Sequence, residues 1–228
     1  MKNNILLIAF ICITTTSISQ IHEIGIMVGG SNYIGDIGPE KYINPNSLMG
    51  GLIYKWNKNP RLSYRGTFTF TQLQSDDANS NNQARYNRDI YFKSNLKELA
   101  IGLEFNYFEY NLDDFRKTRT PYLLFEVAAF NYNIVKRDPN DSSNNEIESK
   151  TSFSIPFGVG YKTKLFGDFA IALELRARYT FENDLEDNNN YGIPALEIGN
   201  PDSNDWYIFS GINLVYTFGR PPCYATPY

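Results

Sequence analysis

In residues 168–183, DFAIALELRARYTFEN, every second side chain from 169 to 181 is apolar. One face carries Phe169, Ile171, Leu173, Leu175, Ala177, Tyr179 and Phe181. The opposite face carries three charged residues, Glu174, Arg176 and Arg178. A period of two residues is that of a β-strand, whereas an amphipathic helix repeats its apolar positions every three or four residues. This segment is therefore predicted to form a strand with two chemically different faces.

The same alternation recurs along the chain after residue 20, together with many Tyr, Phe and Gly residues, a composition that favours strands and turns. It predicts an all-β protein of eight strands, at residues 21–31, 47–57, 60–74, 95–110, 120–136, 151–164, 168–183 and 205–218. The strand at 120–136 is the least regular, since both of its faces carry apolar residues. We orient it by placing Glu126 on the polar face.

The predicted connections alternate in length. Short connections at 58–59, 111–119 and 165–167 separate long ones at 32–46, 75–94, 137–150 and 184–204, which are rich in Asn and Asp. Outer-membrane barrels have this arrangement, with short periplasmic turns and longer extracellular loops. We therefore predict an eight-stranded antiparallel transmembrane β-barrel with an up-and-down meander, in contact with outer-membrane lipid. An even number of strands places both chain ends in the periplasm.

Aromatic residues crowd the predicted strand ends, as in the aromatic girdles of such barrels. The residues are Tyr54, Trp56, Tyr107, Tyr110, Tyr179, Phe181, Trp206 and Tyr216. A soluble barrel of the lipocalin kind is the alternative, because it shows the same alternation with the apolar face turned inward. The position of the charges favours the membrane barrel, since the apolar faces lack mid-strand charges in nearly every segment.

The polar faces carry charges of both signs near the middle of their strands. These are Arg65, Glu104, Glu126, Glu174, Arg176 and Arg178. The interior of an eight-stranded barrel is narrow and is filled by side chains. The six residues are predicted to form a salt-bridged network that fills the lumen. A proton or ion path along them is the alternative.

The first residues have the features of a secretory signal peptide. Lys2 provides a positive charge, ILLIAFICI an apolar core, and TTTSIS a polar region of small residues. The predicted organisation is a cleaved signal peptide at 1–19, a barrel at 20–219 and a periplasmic tail at 220–228. Cys12 could instead be lipidated, but the bulky residues before it do not suit a lipoprotein signal.

Cleavage near residue 19 removes Cys12 and leaves one of the 2 cysteines, Cys223. The tail that contains it begins with Arg220, Pro221, Pro222, Cys223 and Tyr224. Two successive prolines hold such a segment extended and end the last strand. We predict a docking peptide for a periplasmic partner, with a possible intermolecular disulfide through Cys223. The alternative is a frayed terminus with an unused thiol.

The sequence offers few groups for catalysis, and no enzyme activity or cofactor is predicted. His22 is the only histidine, at the start of the first predicted strand. The net charge of −4 gives no reason to expect a nucleic-acid partner. Acidic residues of the long loops could bind Ca²⁺ or form a solvated surface. They include Asp76, Asp77, Glu182, Asp184, Glu186 and Asp187.

Four stretches resemble the PorG family, small outer-membrane barrels of the type IX secretion system of Bacteroidetes. They are EIGIMVGGSNYIGDIG (23–38), YINPN (42–46), GLIYKWNKNPRLSYRG (51–66) and YTFGRPPCY (216–224). The resemblance implies a non-enzymatic role in protein secretion and gliding motility. It also implies association with a periplasmic ring of PorK-like lipoprotein and PorN-like protein, which the barrel would link to the outer membrane.

Two other functions stay open on the sequence alone. One is a general small barrel of the OmpX kind, which binds surface ligands or partners through its long loops. The other is a lipid-modifying enzyme of the membrane, although a single histidine gives little support to it.

Overall fold

The structure, a computed structural model, describes residues 21–111, 118–138, 141–182, 185 and 204–219. Its strands are β1 (Ile21–Ile34), β2 (Ser47–Asn59), β3 (Leu62–Asp76), β4 (Tyr91–Asn106), β5 (Arg119–Asp138), β6 (Asp141–Lys164), β7 (Phe169–Thr180) and β8 (Trp206–Gly219). A 3₁₀ turn (Asp77–Asn79) and a short helix α1 (Gln83–Arg88) follow β3. The predicted signal peptide and the predicted tail both lie outside the described residues.

Each strand pairs antiparallel with the next along the chain, and β1 closes the sheet against β8. Ile24, for example, lies opposite Tyr54 on one side and Tyr216 on the other. Closure gives every strand of the barrel wall a partner on both sides. The predicted eight-stranded antiparallel barrel is confirmed. We call the end that carries both chain termini the turn end, and the opposite end the loop end.

The ladder between β5 and β6 is longer than predicted. Residues 137–150 were predicted to be a long loop, but pairing continues from Val135 opposite Ile147 to Arg137 opposite Asn145. The polar composition of this segment suits a loop. It forms a hairpin because β5 continues to Asp138 and offers a partner strand. In addition, β4 both begins and ends four residues earlier than predicted.

The outer surface of the barrel is apolar. Exposed side chains along the strands include Ile26, Leu52, Phe68, Leu99, Ile101, Leu103, Leu123, Phe125, Val127, Phe157, Val159, Leu173 and Ile212. The polar side chains of the alternating strands point inward and the apolar ones point outward. This is the opposite of the lipocalin arrangement, in which the apolar face is turned inward. An apolar outer belt is what lipid requires of a barrel wall. Among the described residues, no helix is long and apolar enough to cross a membrane.

One predicted girdle residue is placed differently. Tyr110 is only 3% exposed, whereas Tyr107 before it faces outward. The chain leaves β4 at Asn106 and turns back beneath the barrel, where the amide of Tyr110 donates to the carbonyl of Pro60 at 3.0 Å. The Tyr110 ring therefore packs inside the turn end of the barrel and not in the lipid interface.

The interior divides into two halves along the barrel axis. The half toward the turn end is filled mainly by charged side chains. The half toward the loop end contains an apolar and aromatic cluster formed by Met27, Tyr33, Ile37, Met49, Ile53, Leu73, Phe92, Leu96, Phe130, Tyr132, Leu185, Tyr207 and Phe209. We call these the charged half and the apolar half.

Candidate functional site

The structure places all six sequence-predicted lumen charges inside the barrel. Arg65 lies on β3, Glu104 on β4 and Glu126 on β5, while Glu174, Arg176 and Arg178 lie on β7. Every one of them is buried. Alternation explains this placement, because each residue sits at an inward position of its strand.

Arg65 is at the centre of the charged half. Its Nη1 and Nη2 contact the two carboxylate oxygens of Glu174 at 2.6 and 3.0 Å, a two-point pair between strands on opposite sides of the barrel. Nη1 also contacts Glu104 Oε2 at 3.3 Å. Tyr122 adds a hydrogen bond from its hydroxyl to Glu174 Oε2 at 2.6 Å. These contacts cross the lumen from wall to wall.

The other two arginines extend the network toward the apolar half. Arg176 contacts Glu174 at 2.7 Å and Glu126 at 3.3 Å. Arg178 pairs with Glu98 at 3.0 Å, and its guanidinium carbon lies 3.6 Å from the centre of the Phe209 ring. A flat guanidinium over an aromatic face combines charge pairing with stacking. Arg178 therefore joins the charged half to the apolar half.

The network contains four charged residues that were not predicted: Glu23, Lys55, Glu98 and Lys162. Glu104 accepts from Lys162 Nζ at 2.6 Å and from Lys55 Nζ at 2.7 Å. The same alternation identifies all four as inward. They were missed because they lie nearer the strand ends or in strands where the neighbouring aromatic residues gave the stronger signal.

The charges of the charged half are balanced. Five cations, Lys55, Arg65, Lys162, Arg176 and Arg178, face five anions, Glu23, Glu98, Glu104, Glu126 and Glu174. A buried charge is costly unless it is paired and hydrogen-bonded. An equal number of both signs makes such an interior possible without a net internal charge.

Glycines make room for the largest members of the network. A Cβ on Gly160 would collide with the Tyr122 ring, and one on Gly158 would lie 2.8 Å from Arg176 Cγ. Both glycines occupy inward positions of β6. The narrow lumen can hold Tyr122 and Arg176 because the paired position on the neighbouring strand β6 has no side chain in either case.

The arrangement does not resemble a hydrolytic site. Each carboxylate named above is engaged by at least one cation, and none faces an open cleft. His22 lies at the turn end, between the rings of Tyr54 and Phe218, and its Nδ1 lies 2.8 Å from the Tyr54 hydroxyl. Within the described part of the chain, no group of three or more His, Cys, Asp and Glu side chains could hold a metal ion.

At the loop end, two connections are bound to each other through a buried acid. Asp77 accepts from Arg88 Nε at 2.6 Å and from the amide of Gly38 at 2.8 Å. Arg88 also donates to the carbonyl of Asp36 at 2.8 Å. Burial disfavours the ionised carboxylate, but these bonds outweigh burial and hold the pKa of Asp77 below its ordinary value.

The remaining predicted site residues are not brought together by the described structure. Of the acidic loop residues, Asp77 is paired with Arg88, and Glu182 with Lys150 at 2.6 Å. Asp184, Glu186 and Asp187 lie outside the described residues. So do all five predicted docking residues of the tail, Arg220, Pro221, Pro222, Cys223 and Tyr224.

Solved structures with a similar fold are small outer-membrane barrels. A major outer membrane protein from Thermus thermophilus superposes with a TM-score of 0.50 at 13% identity, over 88% of this chain and 100% of that chain. Ail, the attachment invasion locus protein of Yersinia pestis, gives 0.49 at 15% over 88% and 100%. Neisserial surface protein A gives 0.47 at 9% over 87% and 95%.

The similarity to the Thermus thermophilus protein, at 13% identity, supports the fold alone. No curated protein has a sequence that matches this one. A protein-family model does match, over residues 2–227, and its description is domain of unknown function DUF6089. That match spans nearly the whole sequence, including every described strand. The chain therefore belongs to the DUF6089 family, whose fold is here an eight-stranded barrel of the outer-membrane type.

Proposed function

We propose that this protein is a non-enzymatic outer-membrane subunit of the type IX secretion and gliding machinery, which anchors its periplasmic ring. In this proposal the loop end is extracellular and both chain ends are periplasmic. The observation that carries it is the Arg65–Glu174 pair, which bridges opposite walls of the lumen. Because paired side chains cross the lumen, the protein is left with its outer surfaces for contacts with partners.

The closed lumen argues against a channel or transporter. Barrels of eight strands are just wide enough to be filled by side chains, and aqueous channels need many more strands. Here the charged half and the apolar half together fill the described interior. In a planar lipid bilayer we expect no stepwise conductance. Steady single-channel currents from the purified protein would contradict a purely anchoring role.

The turn end has features suited to docking a protein. Phe166 is exposed in the connection between β6 and β7, and Arg61 pairs with Glu109 on the solvent side. Aromatic residues and arginine are common in protein interfaces. The predicted tail, with Cys223, would leave the barrel at this same end. Ring proteins of the PorK and PorN kind, as the sequence resemblance implies, are the proposed partners.

Site-specific crosslinking tests the direction of contact. A photo-reactive residue at Lys58 on the turn end should capture periplasmic ring proteins from cells. The same residue at Gln83 on the loop end is the matched control and should capture none. Capture of ring proteins from Gln83, or from neither site, would refute the proposal. Deletion of the gene should also abolish export of type IX cargo.

The predicted tail contact is tested separately. If Cys223 links covalently to a ring protein, non-reducing gels should show a thiol-sensitive adduct that Cys223→Ser removes. Truncation after residue 219 should weaken ring capture even if no adduct forms. Normal capture by the truncated protein would confine docking to the barrel turns.

The second candidate is a barrel of the OmpX kind that binds partners through its loops. It is favoured by the loop end, where the β5–β6 hairpin is long and a cavity of about 340 Å³ lies beside Trp206 and Arg85. Extracellular partners captured from Gln83, with secretion intact in the deletion strain, would support this function in place of the first.

A further inference from the structure

Toward the loop end, the outward residues of β4 change from apolar to charged. Odd-numbered residues of β4 face outward. Leu103, Ile101 and Leu99 belong to the apolar belt, and the next two charged outward residues are Lys97 and Lys93. At about 3.4 Å per residue, the two lysines lie roughly 14 Å apart along the strand. Lys97 is the first outward residue of β4 above the lipid-facing belt.

Both lysines have exposed side chains. In the described part of the chain, neither forms an ion pair or a hydrogen bond through its side chain. Between them lies an uncharged amide pair, in which Gln72 Nε2 donates to Asn95 Oδ1 at 2.8 Å. Cations that end an apolar wall reach the headgroup region of a bilayer. Anionic lipid headgroups at this level can supply the counter-charges.

A polar cavity lies next to Lys93, toward the loop end. Its volume is about 460 Å³, and it lies between the β1–β2 connection and the wall formed by β3 and β4. Gln74, which lies opposite Lys93 in the sheet, lines it together with Tyr91. Lys41, Asn44 and Asn46 line the other side.

The cavity wall is pre-ordered. The side-chain amide of Asn46 donates to the carbonyl of Gln74 at 2.9 Å, and that of Gln74 donates to the carbonyl of Asn46 at 2.8 Å. This reciprocal pair fixes the connection against the barrel wall. Amide groups and an exposed tyrosine ring, 55% accessible at Tyr91, suit a hydroxyl-rich ring such as a sugar.

We propose that this flank binds a phosphorylated glycolipid of the outer leaflet. Lys97 and Lys93 contact its phosphates, and the cavity above them takes part of its saccharide. The apolar belt below Lys97 holds its acyl chains. Along the bilayer normal, this surface thus has an apolar belt for acyl chains, then two cations for phosphates, then a polar cavity for sugars. The proposal rests on the extracellular orientation of the loop end, but not on any contact with ring proteins.

Native mass spectrometry of the full mature chain in neutral detergent tests the proposal. The probe is purified rough lipopolysaccharide, which consists of lipid A with core sugars. Lys93→Gln with Lys97→Gln should weaken binding about 25-fold, since each lysine near an anionic headgroup contributes about a factor of five. Lys58→Gln with Arg119→Gln removes the same charge at the turn end and should bind like the unaltered protein.

Three outcomes would overturn the phosphate half of the proposal. They are equal binding by the lysine variant, equal binding of a dephosphorylated probe, and displacement of the probe by millimolar inorganic phosphate. The last would indicate a simple anion site. Far-UV circular dichroism and the heat-dependent gel shift verify that each variant forms a barrel.

The cavity is tested with Tyr91→Ala and Asn44→Ala. Each should weaken binding of the glycolipid at least fivefold and leave the binding of phosphatidylglycerol, which lacks a sugar, unchanged. Equal losses for both lipids, or no loss for either, would refute the saccharide assignment. No ring protein is present in the native mass spectrometry experiment. Its outcome therefore does not depend on whether the crosslinking experiment captures ring proteins.

Discussion

The two halves of the lumen are packed by opposite means. In the charged half, five cations and five anions fill the space through ion pairs such as Arg65 with Glu174. In the apolar half, side chains such as Leu73 and Phe130 pack as in the core of a soluble protein. Both halves sit behind the same lipid-facing wall. The comparison shows that the barrel wall limits the total volume of the interior side chains much more than it limits their polarity.

The two chemistries respond differently to a single substitution. A buried ion pair that loses one partner leaves an uncompensated charge, whereas an apolar cluster that loses a side chain leaves a cavity. Ion pairs also require particular partners, and apolar contacts do not. We expect the charged half to be the more sensitive to single changes and the more easily repaired by paired ones.

The largest effect should follow Arg65→Met. It removes the cation that bridges Glu174 and Glu104, and we expect the free energy of unfolding to fall by about 3–5 kcal/mol. Urea denaturation in detergent micelles, followed by tryptophan fluorescence, measures this loss. Adding Glu174→Gln to the same protein should restore part of it. A double variant as unstable as the sum of both single variants would show that the pair is not coupled.

The next largest effect should follow Leu73→Ala in the apolar half. Truncation of this buried side chain should cost about 3 kcal/mol, because a cavity is left between the walls. Leu48→Ala is the matched control, since Leu48 is 87% exposed at the loop end and leaves no cavity. The same denaturation experiment gives both values. If the two substitutions cost the same, the apolar half is not packed as a core.

A smaller effect is expected at Asp77, where the two loop-end connections meet. Because its folded-state pKa is lowered, its ionised bonds stabilise the closed arrangement above the ordinary pKa of about 3.9. This contribution is lost as the pH falls through the lower folded-state pKa. The protection of the Gly38 amide against hydrogen exchange, measured relative to its intrinsic exchange rate at each pH, should therefore fall in acid.

Asp77→Asn should open the same connections at neutral pH, by about 2 kcal/mol of local stability. Its exchange at Gly38 should no longer depend on this titration, apart from the intrinsic pH dependence of exchange. Asp89→Asn, in the same connection, is the control and should keep the behaviour of the unaltered protein. An unchanged exchange rate in Asp77→Asn would show that Arg88 does not hold the connections together.

The smallest effect is expected for the exposed pair Arg61–Glu109, whose N–O distance is 3.4 Å. Its side chains are 51% and 69% exposed, so water and salt screen the attraction. Glu109→Gln should change the unfolding free energy by less than about 0.5 kcal/mol. A loss comparable to that of Arg65→Met would mean that burial is not what separates the lumen pairs from surface pairs.

Much of the charged half could be predicted from alternation alone. Glu174, Arg176 and Arg178 are inward because their neighbours Leu173 and Leu175 belong on the lipid side. Glu98 follows from the same rule, since Leu99 and Ile101 face outward. Which acid meets which base could not be predicted, because Arg65 and Glu174 are 109 positions apart and meet only across the closed lumen.

The loop end shows where sequence patterns fail. Polar, Asn-rich residues at 137–150 were predicted to be a loop, yet they pair as a hairpin. The interaction of Asp77 with Arg88 and Gly38 was not predicted at all. Local composition describes solvation, whereas these contacts depend on which segments the barrel brings to the same end.

The sequence by itself determined the number of strands, their inward and outward faces and the closed, lipid-facing barrel. It could do so because successive side chains of a strand face the lipid and the lumen in turn, and their polarity alternates accordingly. Only the tertiary structure decided the pairing of charges, the turn of Tyr110 into the lumen and the placement of Lys93 and Lys97 beneath a polar cavity. Those features depend on distances between strands, and closure of the sheet is what sets these distances.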